Sequence, residues 1–171
     1  MSAPAEVRAA FEGYRPNVGV ALFNRRGEVF FGRRVGDFSD AGAMREAYRW
    51  QMPQGGVDPG ETPAEAAVRE LKEETGVVAA RLLLMTPGWL AYDFPPELGK
   101  RWRGQRQKWA AMLFEGEDAE IDLMADDHQE FDDWRWGALE EAPNLIVPFK
   151  RAVYEDVVAA FAPLRDFLRD L

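Results

Sequence analysis

Apolar and polar positions along this chain follow two different periods. Val18 to Asn24 (VGVALFN) and Glu28 to Gly32 (EVFFG) are short runs rich in β-branched and aromatic residues around Arg25-Arg26-Gly27, and they predict two strands with a tight connection. Further strands are predicted over Ala80 to Met85, Trp89 to Phe94 and Gln105 to Glu115, with another over Glu130 to Trp136 that starts polar and then alternates. The helical period takes over twice. Ala64, Ala67, Val68, Leu71 and Thr75 fall on one stripe, and after Pro148 the residues Val153, Val157, Ala160, Phe161, Leu164 and Leu168 keep a three-four spacing. Pro163, inside the second run, predicts a kink or a restart. Arg34 to Tyr48 is polar and glycine-bearing and predicts a surface loop with a helical turn near Ala43 to Ala47. Pro95 to Arg103 reads as another loop, with Lys100, Arg101 and Arg103 clustered in it. Several strands, one helix inserted early and one at the end predict an α/β fold with the sheet between helices.

Composition narrows the classes. A length of 171 residues suits one domain, and 47% apolar with 30% charged residues is ordinary for a soluble globular protein. No apolar run approaches the roughly 18–20 residues of a membrane span, and the first residues, MSAPAEVRAAFEGYRP, lack the apolar core of a signal peptide. There are no cysteines, which excludes disulfides and thiol catalysis and fits a cytoplasmic enzyme. A net charge of −9 argues against nonspecific binding along nucleic acid, DNA included, though a few local cations could still grip one phosphorylated end.

The stretch Gly55 to Val77 is the most informative. Asp58-Pro59-Gly60 suits a tight turn, Thr62 and Pro63 stand where an N-cap and first helical residue belong, Glu65 completes a capping box, and Gly76 closes the helix. Glu70, Glu73 and Glu74 share one flank of that helix, at about 100° per residue. Three carboxylates so placed repel one another unless they face open solvent or a cation sits among them. A glycine-bearing loop running into the helix can add backbone oxygens, and an oxygen-only set suits Mg²⁺ or Mn²⁺ rather than zinc.

Gly55, Glu61 and the run Arg69-Glu70-Leu71-Lys72-Glu73-Glu74-Thr75-Gly76-Val77 resemble the Nudix box of the Nudix hydrolases at every fixed position. Tyr14 to Gly19, Trp50 to Gly56, Gly104 to Trp109, Glu130 to Trp136 and Pro148 to Arg151 extend the resemblance to the bacterial RNA pyrophosphohydrolase group, whose relatives are also described as dinucleoside polyphosphate hydrolases. It covers about Tyr14 to Phe161. Two positions depart from the group: the loop Gly36 to Arg49 is longer, and Ala110 stands where an aromatic often follows the Lys-Trp pair.

The resemblance implies an α/β/α fold and Mg²⁺-dependent cleavage of a phosphoanhydride. The substrate would be a 5′-triphosphorylated RNA end or a dinucleoside polyphosphate such as Ap4A. The expected working form is a monomer or a weakly associating one. It implies metal binding by Glu70, Glu73, Glu74 and a Gly55 carbonyl, with Glu130 supplying another carboxylate. The spacing does not say which glutamate is the general base. Arg69 and Glu61 read as an ion pair bracing loop against helix, and His128, the only histidine, as a solvated loop residue. Arg15, Arg34, Lys150 and Arg151 are phosphate-binding candidates, Phe149 is a candidate for stacking on a base, and Gln105, Gln107 and Lys108 are candidates to line the phosphate channel. Trp134 and Trp136 read as core. A non-catalytic nucleotide sensor on the same scaffold would have no need of the complete glutamate set.

Overall fold

The longest parallel pairing in the molecule joins two segments far apart in sequence. The computed structural model describes residues 11–36, 47–98 and 101–171. Within these, Tyr14–Phe23 (β1) runs parallel to Gly104–Phe114 (β7), in register from Tyr14 opposite Gly104 to Phe23 opposite Leu113. Val29–Arg34 (β2) turns back antiparallel to β1 through Asn24 to Glu28 and pairs at Gly32 and Arg33 with Trp50–Gln51 (β3) on one edge and along its length with Phe131–Gly137 (β8) on the other. Gln54–Gly56 (β4) pairs with β1. Ala80–Met85 (β5) and Leu90–Asp93 (β6) both pair antiparallel with β7.

Helices cover both faces of this mixed sheet. Pro63–Thr75 (α1) packs Ala66, Ala67 and Leu71 against Val18, Val20 and Leu22 of β1. Arg151–Asp170 (α3), preceded by the short Ala142–Leu145 (α2), packs Val153, Tyr154, Val157 and Phe161 against Ala21, Phe23 and Trp109. The two-residue period of a strand sends successive side chains to opposite layers, so β1 and β7 feed both cores. The expected α/β/α arrangement is the one observed.

Some expectations need correcting. β3 and β4 were not anticipated, because two- and three-residue strands around Pro53 carry no periodic signal and exist only through pairing with β2 and β1. β1 begins earlier than the apolar run, at Tyr14, since pairing with β7 rather than hydrophobicity sets its start. Val68, placed on the apolar stripe of α1, is exposed, whereas Glu74 is buried. The buried face is therefore rotated towards the acidic flank. In α3 the helix runs unbroken through Pro163. That residue and Ala159, whose carbonyl loses its helical partner there, are both exposed, so water can take up the acceptor. Ala160 is exposed too, and Tyr154 takes a core position that the spacing did not assign. Ala110, the departure at a usually aromatic site, is fully buried and belongs to packing. The helical turn expected near Ala43 to Ala47 and most of the Gly36 to Arg49 loop lie outside the described residues, as does Lys100.

Candidate active site

The loop-to-helix segment folds as its capping residues dictate. Thr62 accepts a hydrogen bond from the Glu65 amide, the Glu65 side chain accepts from the Thr62 amide, and Gly76 closes α1 in the left-handed conformation (φ 73°). Arg69 then locks the loop to the helix. Its Nε and Nη2 each lie 2.8 Å from one Glu61 oxygen, Nη2 also donates to the Gly56 carbonyl at 2.8 Å, and Nη1 reaches Glu70 at 2.8 Å and Glu73 at 3.2 Å. This bidentate pair holds the Glu61 carboxyl down to about 2 and raises the Arg69 pKa still further. The brace expected between Glu61 and Arg69 is present, and it also restrains two members of the glutamate set.

Gly55 is required by close approach: a Cβ built there would overlap the Glu70 carboxyl. Glu74 sits deepest of the glutamates, accepting from the Gln54 amide at 3.3 Å. Burial pushes its pKa well up, and the charges of Glu130, Glu70 and Glu73 add to the shift. Burial likewise raises Glu70, with Arg69 opposing. Among the described residues no three acidic or imidazole groups converge into a finished metal cage. The donor set still fits a hard divalent cation. All its donors are oxygens, a buried carboxylate is crowded by its own kind, and Mg²⁺ characteristically takes one or two carboxylates and completes its shell with water and substrate phosphate.

Two cations stand among these glutamates. Arg34 stands 3.9 Å from Glu130. Lys150, a phosphate-binding candidate, is buried; burial, then Arg34, pull its pKa down to about 8 while Glu130 and Glu74 oppose. Its Nζ lies 5.5 Å from the Tyr92 ring centroid and 5.9 Å from that of Phe149. Phe149 is half-buried, with its ring 5.7 Å from Tyr92 and 6.4 Å from Phe94, so it both packs and borders the cleft. Tyr92 donates its hydroxyl proton to Gln105, and Gln107 donates to Asn17 at 2.7 Å while accepting from the Trp109 indole at 3.0 Å. Arg15 is exposed, its guanidinium lying against Gly56.

The structure thus brings Glu70, Glu73, Glu74, Glu130, Gly55, Arg34, Lys150, Gln105 and Phe149 into one neighbourhood, with Arg15 against Gly56 beside it. Lys108 is not among them. It faces the opposite side of β7, with Nζ 5.4 Å from the Trp89 ring, because it is three positions from Gln105 on a strand of period two. His128 is exposed, and Trp134 and Trp136 pack on Phe30 at 5.7 and 6.3 Å, as core. Tyr92 and Asn17 were missed. For Tyr92 a signal existed: Ala91 and Tyr92 alternate exposed and buried, and antiparallel pairing sets Tyr92 opposite Gln105.

A glutamate-bearing helix locked by an arginine to a glycine loop, on the edge of a mixed sheet between helices, is the arrangement of a Nudix enzyme. The NUDIX domain family matches residues 13–157, and the chain belongs to that family as a hydrolase of pyrophosphate bonds. Its relatives narrow the comparison. It is 57% identical over 156 residues to the RNA pyrophosphohydrolase of Caulobacter vibrioides (strain NA1000 / CB15N), covering 86% of each chain. It is 51% identical over 153 residues to the RNA pyrophosphohydrolase of Acidiphilium cryptum (strain JF-5), covering 87% of this chain and 90% of that one. Among solved structures, a Caenorhabditis elegans Ap4A hydrolase binary complex superposes with a TM-score of 0.57 at 18% identity, over 86% of this chain and 98% of that one. At that identity the likeness concerns the fold alone. Among the described residues no helix is long and apolar enough to cross a membrane.

Proposed function

We propose that this chain removes pyrophosphate from 5′-triphosphorylated RNA, leaving a 5′-monophosphate. Water adds to the phosphorus that remains on the RNA, one P–O anhydride bond breaks, and pyrophosphate departs with the bonding pair. The observation that carries the reading is the mixed cluster of charges: buried Glu74 and Glu130 within electrostatic reach of buried Lys150, with Arg34 beside Glu130. The identity with enzymes named RNA pyrophosphohydrolases supports it.

Glu70, Glu73, Glu74, Glu130 and the Gly55 carbonyl hold a divalent cation, Mg²⁺ with Mn²⁺ able to substitute. When bound it neutralises phosphate charge and acidifies water. One carboxylate of this set accepts the proton of the attacking water. Arg34 and Lys150 bind the phosphate chain and stabilise charge developing on the leaving group, with Arg15 at the cleft edge and Gln105 holding Tyr92 in place. Phe149 borders the space for a base and offers one face for stacking. The net charge of −9 argues against binding along a nucleic acid, so the substrate is gripped at its end and DNA is not a partner; the working form is a monomer. An RNA substrate sets the place of action in the cytoplasm.

The test is turnover with Mg²⁺ on 5′-triphosphorylated RNA, 5′-diphosphorylated RNA, Ap4A and Ap5A, with the products identified. Release of pyrophosphate with kcat/KM highest on the triphosphorylated RNA is expected. A clear preference for Ap4A or Ap5A would replace the reading with dinucleoside polyphosphate hydrolysis.

A further inference from the structure

The two-residue period that separates Lys108 from Gln105 puts Gln105, Gln107 and Trp109 on one face of β7. The parallel register sets Asn17 beside Gln107 and Gly19 beside Trp109, and the indole occupies the space that a Cβ at Gly19 would need. That indole is fully buried and meets the Tyr154 ring edge-on at 5.3 Å. Its N–H donates to Gln107 Oε1 at 3.0 Å. Gln107 donates in turn from Nε2, to Asn17 Oδ1 at 2.7 Å and to Gln54 Oε1 at 3.4 Å. Burial raises the Tyr92 pKa, and a hydrogen bond from Gln54 opposes that rise, so the Gln54 amide donates to the phenol oxygen. Tyr92 then donates its hydroxyl proton to Gln105 Oε1. One hydrogen-bonded chain therefore runs from the core to the residues of the phosphate cleft, and the Gln54 backbone amide joins it to Glu74 at 3.3 Å.

Direction is what such a chain carries. A side-chain amide turned by 180° exchanges its oxygen for its NH2 at little steric cost, so Asn17, Gln54, Gln105 and Gln107 by themselves could run the chain either way. An indole has no such freedom, because it donates and never accepts. With Trp109 as the fixed donor, Gln107 must turn oxygen to the indole and NH2 onward. Asn17 and Gln54 must answer with oxygen, Gln54 must present NH2 to the phenol, and Tyr92 must donate to Gln105. Asn17 and Gln105, whose oxygens are then engaged, end the chain with NH2 groups. The Gln105 end lies beside Tyr92, whose ring centroid is 5.5 Å from Lys150 Nζ. Phosphate oxygens accept hydrogen bonds and reward donors, whereas a carboxamide oxygen turned the same way would repel them.

We propose that the Trp109 N–H is a positioning group for the reaction: acting through Gln107, it fixes the direction of the amide chain so that Gln105 turns NH2, and not its carbonyl oxygen, toward the substrate phosphates. Trp109 itself lies in the core against α3 and touches no substrate. A buried indole needs an acceptor wherever it sits, and any carbonyl would serve that need. Here the acceptor is an amide whose other end leads to the cleft, so satisfying the indole also sets the polarity of the site. The inference rests on the RNA reading given above.

Two measurements on the full chain test it. In the first, Trp109→3-benzothienylalanine keeps the bicyclic shape and puts sulfur where the N–H was. KM for 5′-triphosphorylated RNA should rise by roughly 10- to 150-fold, the loss expected for hydrogen bonds to a charged group. Saturated kcat should stay near the wild type's, because such bonds serve ground and transition states alike. An unchanged KM, or a fall confined to kcat, would overturn the role. In a Gln107→Met background the same replacement should change KM no further, and a second loss of equal size would show that the indole acts by another route and overturn it too. The second measurement needs no turnover: the side-chain NH2 resonances of Gln105 are followed by NMR as inorganic triphosphate is added to the metal-free protein. They should move in the wild type and stay in place in the benzothienylalanine variant, whose backbone spectrum reports that it is folded. Equal movement in both proteins, or none in the wild type, would overturn the role. Movement in the wild type alone, from a protein that does not hydrolyse the RNA, refutes the RNA pyrophosphohydrolase reading and leaves Trp109 its part. Hydrolysis of the RNA with the same KM in both proteins does the reverse.

Discussion

Replacing Lys150 with Met should abolish a specific pH dependence of stability. The buried ammonium has a folded pKa of about 8 against an ordinary 10.5, with burial as the main cause, Arg34 adding to it and Glu130 and Glu74 opposing. Between these two values the unfolded chain binds more protons than the folded one, so stability rises with pH across that window. Above the unfolded pKa the group carries no penalty; as pH falls through about 8 the full penalty develops. At about 1.4 kcal/mol per pH unit this amounts to roughly 3 kcal/mol. Methionine keeps an unbranched apolar stem of similar reach and removes the charge. The assay is urea unfolding of both proteins in EDTA from pH 7 to 10.5, read as the difference between them. Tyr92 and Tyr154, whose pKa values burial raises, destabilise both proteins equally near the top of the range and cancel in that difference. The gap should close by about 3 kcal/mol as pH rises. A difference that stays flat would refute the lowered pKa of buried Lys150. If the protonated Lys150 binds substrate phosphate, KM for triphosphorylated RNA should also climb above about pH 8 in the wild type and less in the variant.

Three other perturbations probe the same cleft. Glu74→Gln removes a buried carboxylate crowded by Glu130, Glu70 and Glu73; metal-free stability should rise by about 1–2 kcal/mol, while turnover and the Mg²⁺-induced increase in melting temperature disappear. A Mg²⁺ shift equal to the wild type's would count against Glu74 as a ligand. Gly55→Ala drives a methyl into the Glu70 carboxyl, so activity should fall by about 10²-fold and stability by about 1–3 kcal/mol, measured by turnover and thermal melting; retained activity would show that Glu70 need not sit there. Phe149→Ala should cost less than the roughly 3–5 kcal/mol of a fully buried ring, because the side chain is half-buried against Tyr92 and Phe94. It should also raise KM for RNA, and an unchanged KM would remove its stacking role.

The readable parts of this chain are those whose meaning is local. Thr62, Pro63, Glu65 and Gly76 specify both ends of α1 through their own backbone preferences, and the structure reproduces each of them. Arg69 and Glu61 were legible as a brace because a loop entering a helix needs one. Charge alone could not say that Arg69 also reaches Glu70, Glu73 and the Gly56 carbonyl, since those contacts depend on how the loop curls. What escaped was set by partners distant in sequence. β3 and β4 exist because β2 and β1 offer edges, and Lys150 is buried because Tyr92 and Phe149 close over it. The side of β7 taken by Lys108 is a different case. Strand alternation already forbade it from sharing a face with Gln105 and Gln107, and the two-residue period was there to be applied.

Glu74 shows why the stripe of α1 was drawn on the wrong arc. A helix read by apolarity alone puts Val68 inward and the glutamates outward, yet Val68 is 52% exposed and Glu74 only 7%. The helix turns its acidic flank to the edge of the sheet, at a cost in desolvation that the raised Glu74 pKa records. A rotation that exposed Glu74 and buried Val68 would suit an isolated domain better. The observed rotation is favourable once charge of opposite sign shares the cleft, partly from Lys150 and Arg34 and, in the proposed reaction, from a divalent cation. The two buried charges of unlike sign, Glu74 and Lys150, are each shifted toward the neutral form because burial outweighs their mutual attraction. Cation and phosphate arriving together would reverse both shifts, and the energy held in that unfavourable pair would then favour binding.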